Sequence, residues 1–497
     1  MEMQLKQNVV PYLKTIVKES QNYEQSLEVR IPDGMPDIAT IVCAWGQPVI
    51  RSKEWRNDCI LLSGGIMVWI MYQSEEQPEP LTIDAWVPFQ IKWSLPDNVP
   101  EGKALIACSI RFVDARSVSP RRIMVRAGLS ASAEALVPDE SKLFVPENLP
   151  EDIELLQKRY PVRLPVEAGE KTFTLEENVN IPGEDFTTDA LVYYSVTPAI
   201  LDQKIVGNKI AFRGSGNLHL LFSDGSGHMH SHNVPIPFSQ FAELDNVYGS
   251  DAEVTIRPSV TDMEMESDDE GILRVRCGIT AQYLITDSSL ITVAEDAYSI
   301  SKNLQLTSDV IRLPAILEQR KEILNAEAVL PENISNIVDA CTYADCPRVM
   351  TGDGQILVET QGITLILYAD EQQCLKSFVS RWNSQTTLKA DAEISVSDFL
   401  ICDPQVLTSG AGALVRTEIP LMVSATAEDG FHIVTGIQAG EDKMADPGRP
   451  SLILCRADGS GLWNIAKTCG STMAAIRKAN SLDGDPTPGQ MLIIPVL

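Results

Sequence analysis

Three histidines alternate in the stretch "GHMHSH": His228, His230 and His232. In an extended chain alternate side chains share one face, so three imidazoles at this spacing form a potential metal set. The segment follows "SDGS", however, and no fourth ligand is implied, so a polar hairpin tip is the simpler expectation. Cys341 and Cys346 lie close together without a second pair at zinc-site spacing. The "GSG" at Gly214–Gly216 lacks the Lys-Ser/Thr of a phosphate loop and opens no helix pattern; it reads as a strand kink. The acidic run Met263–Gly271 does not space its oxygens as a calcium loop does and reads as a solvated turn. No Gly-x-Ser-x-Gly elbow is present, and the remaining histidines, His219 and His432, lie in strand-like runs. The expectation is a protein without catalytic residues, metal or cofactor.

The composition narrows the partners. The 497 residues carry a formal charge of −28, which repels phosphate backbones and argues against nucleic acid. No run approaches the roughly 18 apolar residues of a membrane span, and "MEMQLKQNVVPYLKTIVKES" lacks the basic-then-apolar order of an export signal. The ten cysteines are scattered, several inside apolar runs, as reduced buried thiols are. A soluble, unsecreted, cytoplasmic chain without membrane insertion is expected.

The elements that would position these residues repeat. "ILLSGGIMVWIMY", "IAFRGSGNLHLLF" and "ILVETQGITLILY" each run strand, small-residue kink, strand and closing aromatic, at a spacing of about 150 residues. "VRIP", "VNIP" and "AVLP" precede them at nearly the same period, and Val125-Arg126, Val275-Arg276 and Val415-Arg416 follow. Stretches such as "ILRVRCGITAQYLI" are rich in β-branched residues and separated by turn clusters. The fold class is therefore mainly β, with three tandem antiparallel domains at 29–140, 171–305 and 329–440. Apolar steps of three and four in "PENLPEDIELLQKRY" and "SDVIRLPAILEQRKEILNAEAV" predict helical connectors at 141–170 and 306–328, with a helical segment at 1–28. Residues 441–450 read as a linker.

The last unit, 451–497, has another grammar. "SLILC" is a strand. "LWNIAKTCG" places Leu462, Ile465 and Ala466 on one helix face. Ser471 is a plausible cap for a second helix through Ile476, and Met491–Ile494 closes as a strand. This βααβ order, with Gly459, Leu462-Trp463, Ile465-Ala466-Lys467, Asn480 and Pro488-Gly489-Gln490, resembles a LysM domain. The resemblance implies binding of peptidoglycan or N-acetylglucosamine oligomers between the loops Gly459–Leu462 and Asn480–Gly489. Where such domains commonly read Gly-Asp-Thr-Leu-Trp, this chain has Gly459-Ser460-Gly461-Leu462-Trp463. The residues expected nearest to function are Gly459, Ser460, Gly461, Leu462, Trp463, Ile476, Asn480, Pro488 and Gly489.

The kinked repeats, with Pro88-Phe89 and Pro237-Phe238 after the closing tyrosine or phenylalanine, resemble the SPOCS domain of spore coat proteins. The order of SPOCS-like repeats before one LysM is similar to a family of clostridial spore coat assembly proteins. That resemblance implies a non-enzymatic scaffold in the mother-cell cytoplasm at the forespore surface. Its LysM would dock a coat morphogenetic ATPase similar to stage IV sporulation protein A, alongside other coat proteins. The alternative is a peptidoglycan-binding protein of the wall or cortex. An enzyme targeted by a LysM is the weakest reading.

Overall fold

The computed structural model describes residues 5–496 apart from 78, 147–149, 151, 181–190, 225–227, 268–271, 332, 333, 335, 353, 354, 389–392, 410, 411, 427–429, 444–447 and 449. The acidic run beyond Ser267, the Pro182 of "VNIP" and half of the expected linker fall outside these residues.

The first six strands are β1 (Leu5–Arg30), β2 (Thr40–Trp55), β3 (Cys59–Gln73), β4 (Leu81–Ser94), β5 (Lys103–Ser119) and β6 (Arg122–Pro146). They form two antiparallel sheets, β1-β6-β5 and β2-β3-β4. The next six are β7 (Ile153–Asn180), β8 (Leu191–Val206), β9 (Lys209–Ser223), β10 (Met229–Glu243), β11 (Glu253–Ser267) and β12 (Ile272–Ser299). Their sheets, β7-β12-β11 and β8-β9-β10, have the same order. Then follow β13 (Lys302–Ile311), β14 (Ile316–Val329), β15 (Asn336–Ala344), β16 (Arg348–Gly352), β17 (Gln355–Ala369) and β18 (Leu375–Leu388). The remainder of this part is β19 (Glu393–Phe399), β20 (Gln405–Ser409), β21 (Gly412–Thr426) and β22 (Phe431–Asp442). Here β14-β21-β19 and the sheet centred on β17 repeat the plan, and β13 pairs with β22.

The small-residue kink has a steric cause. A Cβ at Gly64 would lie 2.2 Å from the Val49 carbonyl oxygen and 2.8 Å from the Phe89 ring. At Gly214 the same atoms belong to Ala199 and Phe238, at 2.2 and 2.4 Å; at Gly362 they belong to Tyr343 and Trp382, at 2.0 and 2.5 Å. In each case an aromatic side chain from the following strand lies over a central-strand glycine, and no larger residue fits beneath it.

The helical expectations for 1–28, 141–170 and 306–328 are corrected. Leu5–Arg30, Ile153–Asn180 and Ile316–Val329 are strands. Each is held by a partner far along the chain, as in Arg30↔Arg122 and Lys158↔Val293. This long-range pairing overrides the local three-and-four spacing. In "SDVIRLPAILEQRKEILNAEAV" the helix face would have comprised Ile316, Leu317, Ile323 and Leu324; on β14 Leu317 and Ile323 stand exposed while Leu324 is buried. The linker also starts later than expected, because β22 continues to Asp442, which pairs with Lys302.

The long hairpins are interrupted at matching places. Register slips between Thr15 and Val17 in β1 and beside Pro165 in β7, and at Pro314 the strand breaks into β13 and β14. Beyond these places, ribbons from all three parts share one cluster, with Tyr12 and Leu143, Val162 and Ile291, and Leu313 and Ile433 buried together. The largest core is also shared. Trp45 of β2 stacks on Tyr193 of β8 with ring centroids 5.1 Å apart, and Leu365 and Leu367 of β17 complete it.

Candidate partner-binding site

The terminal unit is a two-stranded sheet, β23 (Leu452–Arg456) and β24 (Met491–Pro495), under two helices, α1 (Leu462–Cys469) and α2 (Met473–Asn480). Helix α1 begins at Gly461, φ 85°, without a side-chain cap, and ends at the left-handed Gly470, whose N–H donates to the Ala466 carbonyl. Its interior face buries Leu462, Ile465 and Ala466. Helix α2 is capped by Thr472, whose Oγ1 accepts from the Ala475 N–H at 3.0 Å. The expected cap, Ser471, is corrected: it is buried and its hydroxyl donates to the Pro495 carbonyl, tying α2 to β24.

The candidate residues divide into two groups. Leu462 and Ile476 are fully buried against Leu492 and Ile494 and offer no surface to a ligand. Trp463 is also covered, but by another part of the chain. Its ring meets Tyr298 of β12 edge-on at 4.8 Å, and its Nε1 donates to Asp296 Oδ2 at 2.8 Å. Lys467 Nζ donates to both oxygens of Asp296, and the Tyr298 hydroxyl donates to the Ser471 carbonyl at 2.8 Å. Burial and the nearby Glu154 and Asp296 carboxylates raise the Tyr298 phenol well above its usual range, so it stays a donor. Asn480 is structural as well: its Nδ2 donates to the Ile476 and Ile493 carbonyls, and its Oδ1 accepts from the Ile493 N–H at 2.7 Å.

Gly459, Ser460, Pro488 and Gly489 are exposed, with Gly461 half-buried. The two loops meet: a Cβ at Gly459 would lie 3.9 Å from the Pro488 ring, and the Gly489 N–H donates to the Ala457 carbonyl at 2.7 Å. The carboxylate absent from the Ser460 position is supplied one residue before Gly459, where Asp458 Oδ1 accepts from the Ser460 N–H.

Sequence reasoning missed the outer face of the sheet. Leu452, Leu454, Met491 and Ile493 are 59%, 72%, 59% and 44% exposed, while alternate residues Leu492 and Ile494 point into the core. Leu454 lies opposite Ile493 in the ladder. Four large apolar side chains on so small a sheet make a contiguous sticky surface. Both strands are apolar at every other position on both faces, and that was the available signal.

Other candidates are dispersed. His228 and His230 both lie against Asp224 Oδ2, at 3.5 and 3.0 Å. His432 is exposed on β22, and His219 contacts Asp339. Among the described residues no group of three His, Cys, Asp or Glu side chains is placed to hold a metal ion. Cys346 is buried in the seam with the first sheets, where its N–H donates to the Ser130 hydroxyl oxygen at 3.0 Å, and burial pushes its thiol up to about 11. Burial also pushes Cys341 up to about 12. Neither is a ready thiolate. No helix among the described residues is long and apolar enough to cross a membrane.

Comparison with protein families gives two matches. Residues 189–267 match the SPOCS domain of SipL, and residues 459–495 match the LysM domain. Both are non-catalytic domain families. The first match covers β8, β9, β10 and β11; the second covers α1, α2 and β24. No curated protein and no solved structure matches the chain.

Proposed function

We propose that this chain is a non-enzymatic scaffold of spore coat assembly, acting in the mother-cell cytoplasm at the forespore surface. Three SPOCS-like repeats, 5–146, 153–299 and 302–442, form its body. The LysM domain docks a protein partner, a coat morphogenetic ATPase of the stage IV sporulation protein A kind. The observation that carries this reading is the exposed stripe Leu452, Leu454, Met491 and Ile493. Such a surface suits an apolar protein face better than a polar sugar. The inward-turned Trp463 agrees with it.

The test uses the full chain immobilised against that ATPase. Changing Leu454 and Ile493 together to Ser, both exposed, should leave folding intact and weaken binding at least tenfold. Unchanged binding would remove the stripe from the interface.

A second reading, peptidoglycan or N-acetylglucosamine binding, rests on the contact between the exposed Gly459 and Pro488 loops. Titration of the same chain with chitopentaose decides it. Saturable sugar binding abolished by Gly459→Val, with no ATPase binding, would favour the wall or cortex role.

A further inference from the structure

The two edges of the LysM sheet differ. β23 and β24 pair without a register shift, Leu454 opposite Ile493. Two backbone bonds bracket the ladder: the Ala457 N–H donates to the Gln490 carbonyl at 2.8 Å, and the Val496 N–H to the Ser451 carbonyl at 3.0 Å. Antiparallel pairing alternates. Ile453 and Cys455 therefore turn their backbone groups toward β24, while Leu452, Leu454 and Arg456 turn theirs away.

On β24 the outward groups are taken. Asn480 accepts from the Ile493 N–H at 2.7 Å and donates to the Ile493 carbonyl at 2.6 Å, and the Ser471 hydroxyl donates to the Pro495 carbonyl. On β23 they are open. Among the described residues no further strand pairs with this edge, and no donor or acceptor meets the backbone of Leu452 or Leu454. Proteins blunt such an edge with proline, a bulge, a lysine or a covering segment, because it templates another strand. β23 has no proline and no bulge, and Leu452, Leu454 and Arg456 stand exposed in one row.

That row states what an added strand carries. Leu452 and Leu454 favour apolar side chains directly opposite. Arg456, at the end of the row, has no ion pair among the described residues and favours a carboxylate. A second copy of this chain does not meet the pattern. Antiparallel pairing of β23 with itself about Leu454 sets Arg456 against Leu452, between two chains that each carry −28.

We infer that β23 is completed by an extended segment of another protein, added antiparallel as a third strand. An acidic residue of that segment lies opposite Arg456, and apolar residues lie opposite Leu454 and Leu452. The inference rests on the protein-docking role proposed for the LysM domain and gives it a form: main-chain hydrogen bonds supply affinity, and the side-chain row supplies choice.

The probe is a fluorescent, terminally blocked peptide, Thr-Asp-Thr-Leu-Thr-Leu-Thr, titrated against the full chain at physiological salt. It should bind saturably, with Kd below about 1 mM. The same peptide N-methylated at both leucines keeps its side chains but loses two donors facing β23, and should bind about tenfold more weakly or worse. Lys in place of its Asp should weaken binding to the native chain and strengthen binding to Arg456→Glu. Leu454→Ala and Leu454→Pro both shorten the side chain, but only the second removes the N–H, at an edge position where a strand accepts proline. Leu454→Pro should bind the peptide about fivefold more weakly than Leu454→Ala, with the LysM melting transition retained. Absence of saturable binding, equal binding of the N-methylated peptide, or failure of the charge exchange would each overturn the inference. If Leu454→Pro does not fold, the N-methylated peptide and the charge exchange decide, since both leave the β23 backbone intact. A parallel titration with the coat ATPase separates the two readings. ATPase binding without peptide binding would overturn strand addition and leave the docking role standing. Peptide binding without ATPase binding would uphold strand addition and remove that partner.

Discussion

The indole nitrogen of Trp463 donates to the carboxylate of Asp296, a residue 167 positions earlier on β12. Together with Lys467 on the same carboxylate and Tyr298 over the ring, this contact seats the LysM domain on the end of β12.

Asp296→Ala should release that seat. It leaves a buried indole N–H unpaired, at about 1–3 kcal/mol. Limited proteolysis should cut the 443–450 segment faster, and Trp463 fluorescence should shift red, while the isolated LysM transition in calorimetry persists. Cleavage at the wild-type rate would show that apolar packing alone holds the domain.

Asn480→Ala should destabilise the LysM domain itself. Two hydrogen bonds with Ile493 join α2 to β24 through this side chain and a third reaches back to the Ile476 carbonyl within α2, and their loss should cost about 2 kcal/mol. The LysM melting transition should fall while that of the repeats stays put.

Glu134 on β6 supplies a pH signature. Burial alone would raise its carboxyl, but Lys18 and Arg257 outweigh burial and hold it at about 2, against an ordinary 4.5. The folded state thus takes up this proton less readily than the unfolded one. The stability it contributes is complete above pH 4.5 and fades as pH falls toward 2. Glu134→Gln should flatten that part of the acid-unfolding curve. At neutral pH it should cost about 3–5 kcal/mol, because Arg257 is left buried without its partner. An unchanged acid limb would assign the sensitivity to other carboxylates.

Asp345→Ala should loosen the end of β15 from β5. Asp345 is buried and accepts from Arg111 Nε of β5 at 2.7 Å, beside Ser109, whose hydroxyl donates to the Ala344 carbonyl. Hydrogen exchange should quicken in both β5 and β15. Acceleration confined to β15 would argue against a shared seam.

The LysM domain was legible because its contacts are local: apolar steps within α1 and α2, left-handed glycines, and strands within fifty residues of one another. The kinked strands were legible because Gly64, Gly214 and Gly362 obey one steric rule at matching positions. The connectors were misread because β7 owes its extended form to a partner 130 residues away, while its own apolar spacing resembles a helix face. Trp463 as a contact residue was half legible. Its exposure-prone position was visible, but Asp296 and Tyr298 lie in another repeat.

Folding on the ribosome must respect the shared core. The Ser377 hydroxyl donates to the Val42 carbonyl across 335 residues, and the Tyr343 hydroxyl accepts from the Gly46 N–H across 297. At roughly 5–20 residues per second, the β2 face waits roughly 17–67 s for its cover. Trp45 and Trp69 wait for Tyr193, synthesised 148 residues after Trp45, for roughly 7–30 s of it, and until then are surfaces for chaperones or for a neighbouring nascent chain. The order of translation thus becomes part of how this molecule avoids joining its neighbours too early.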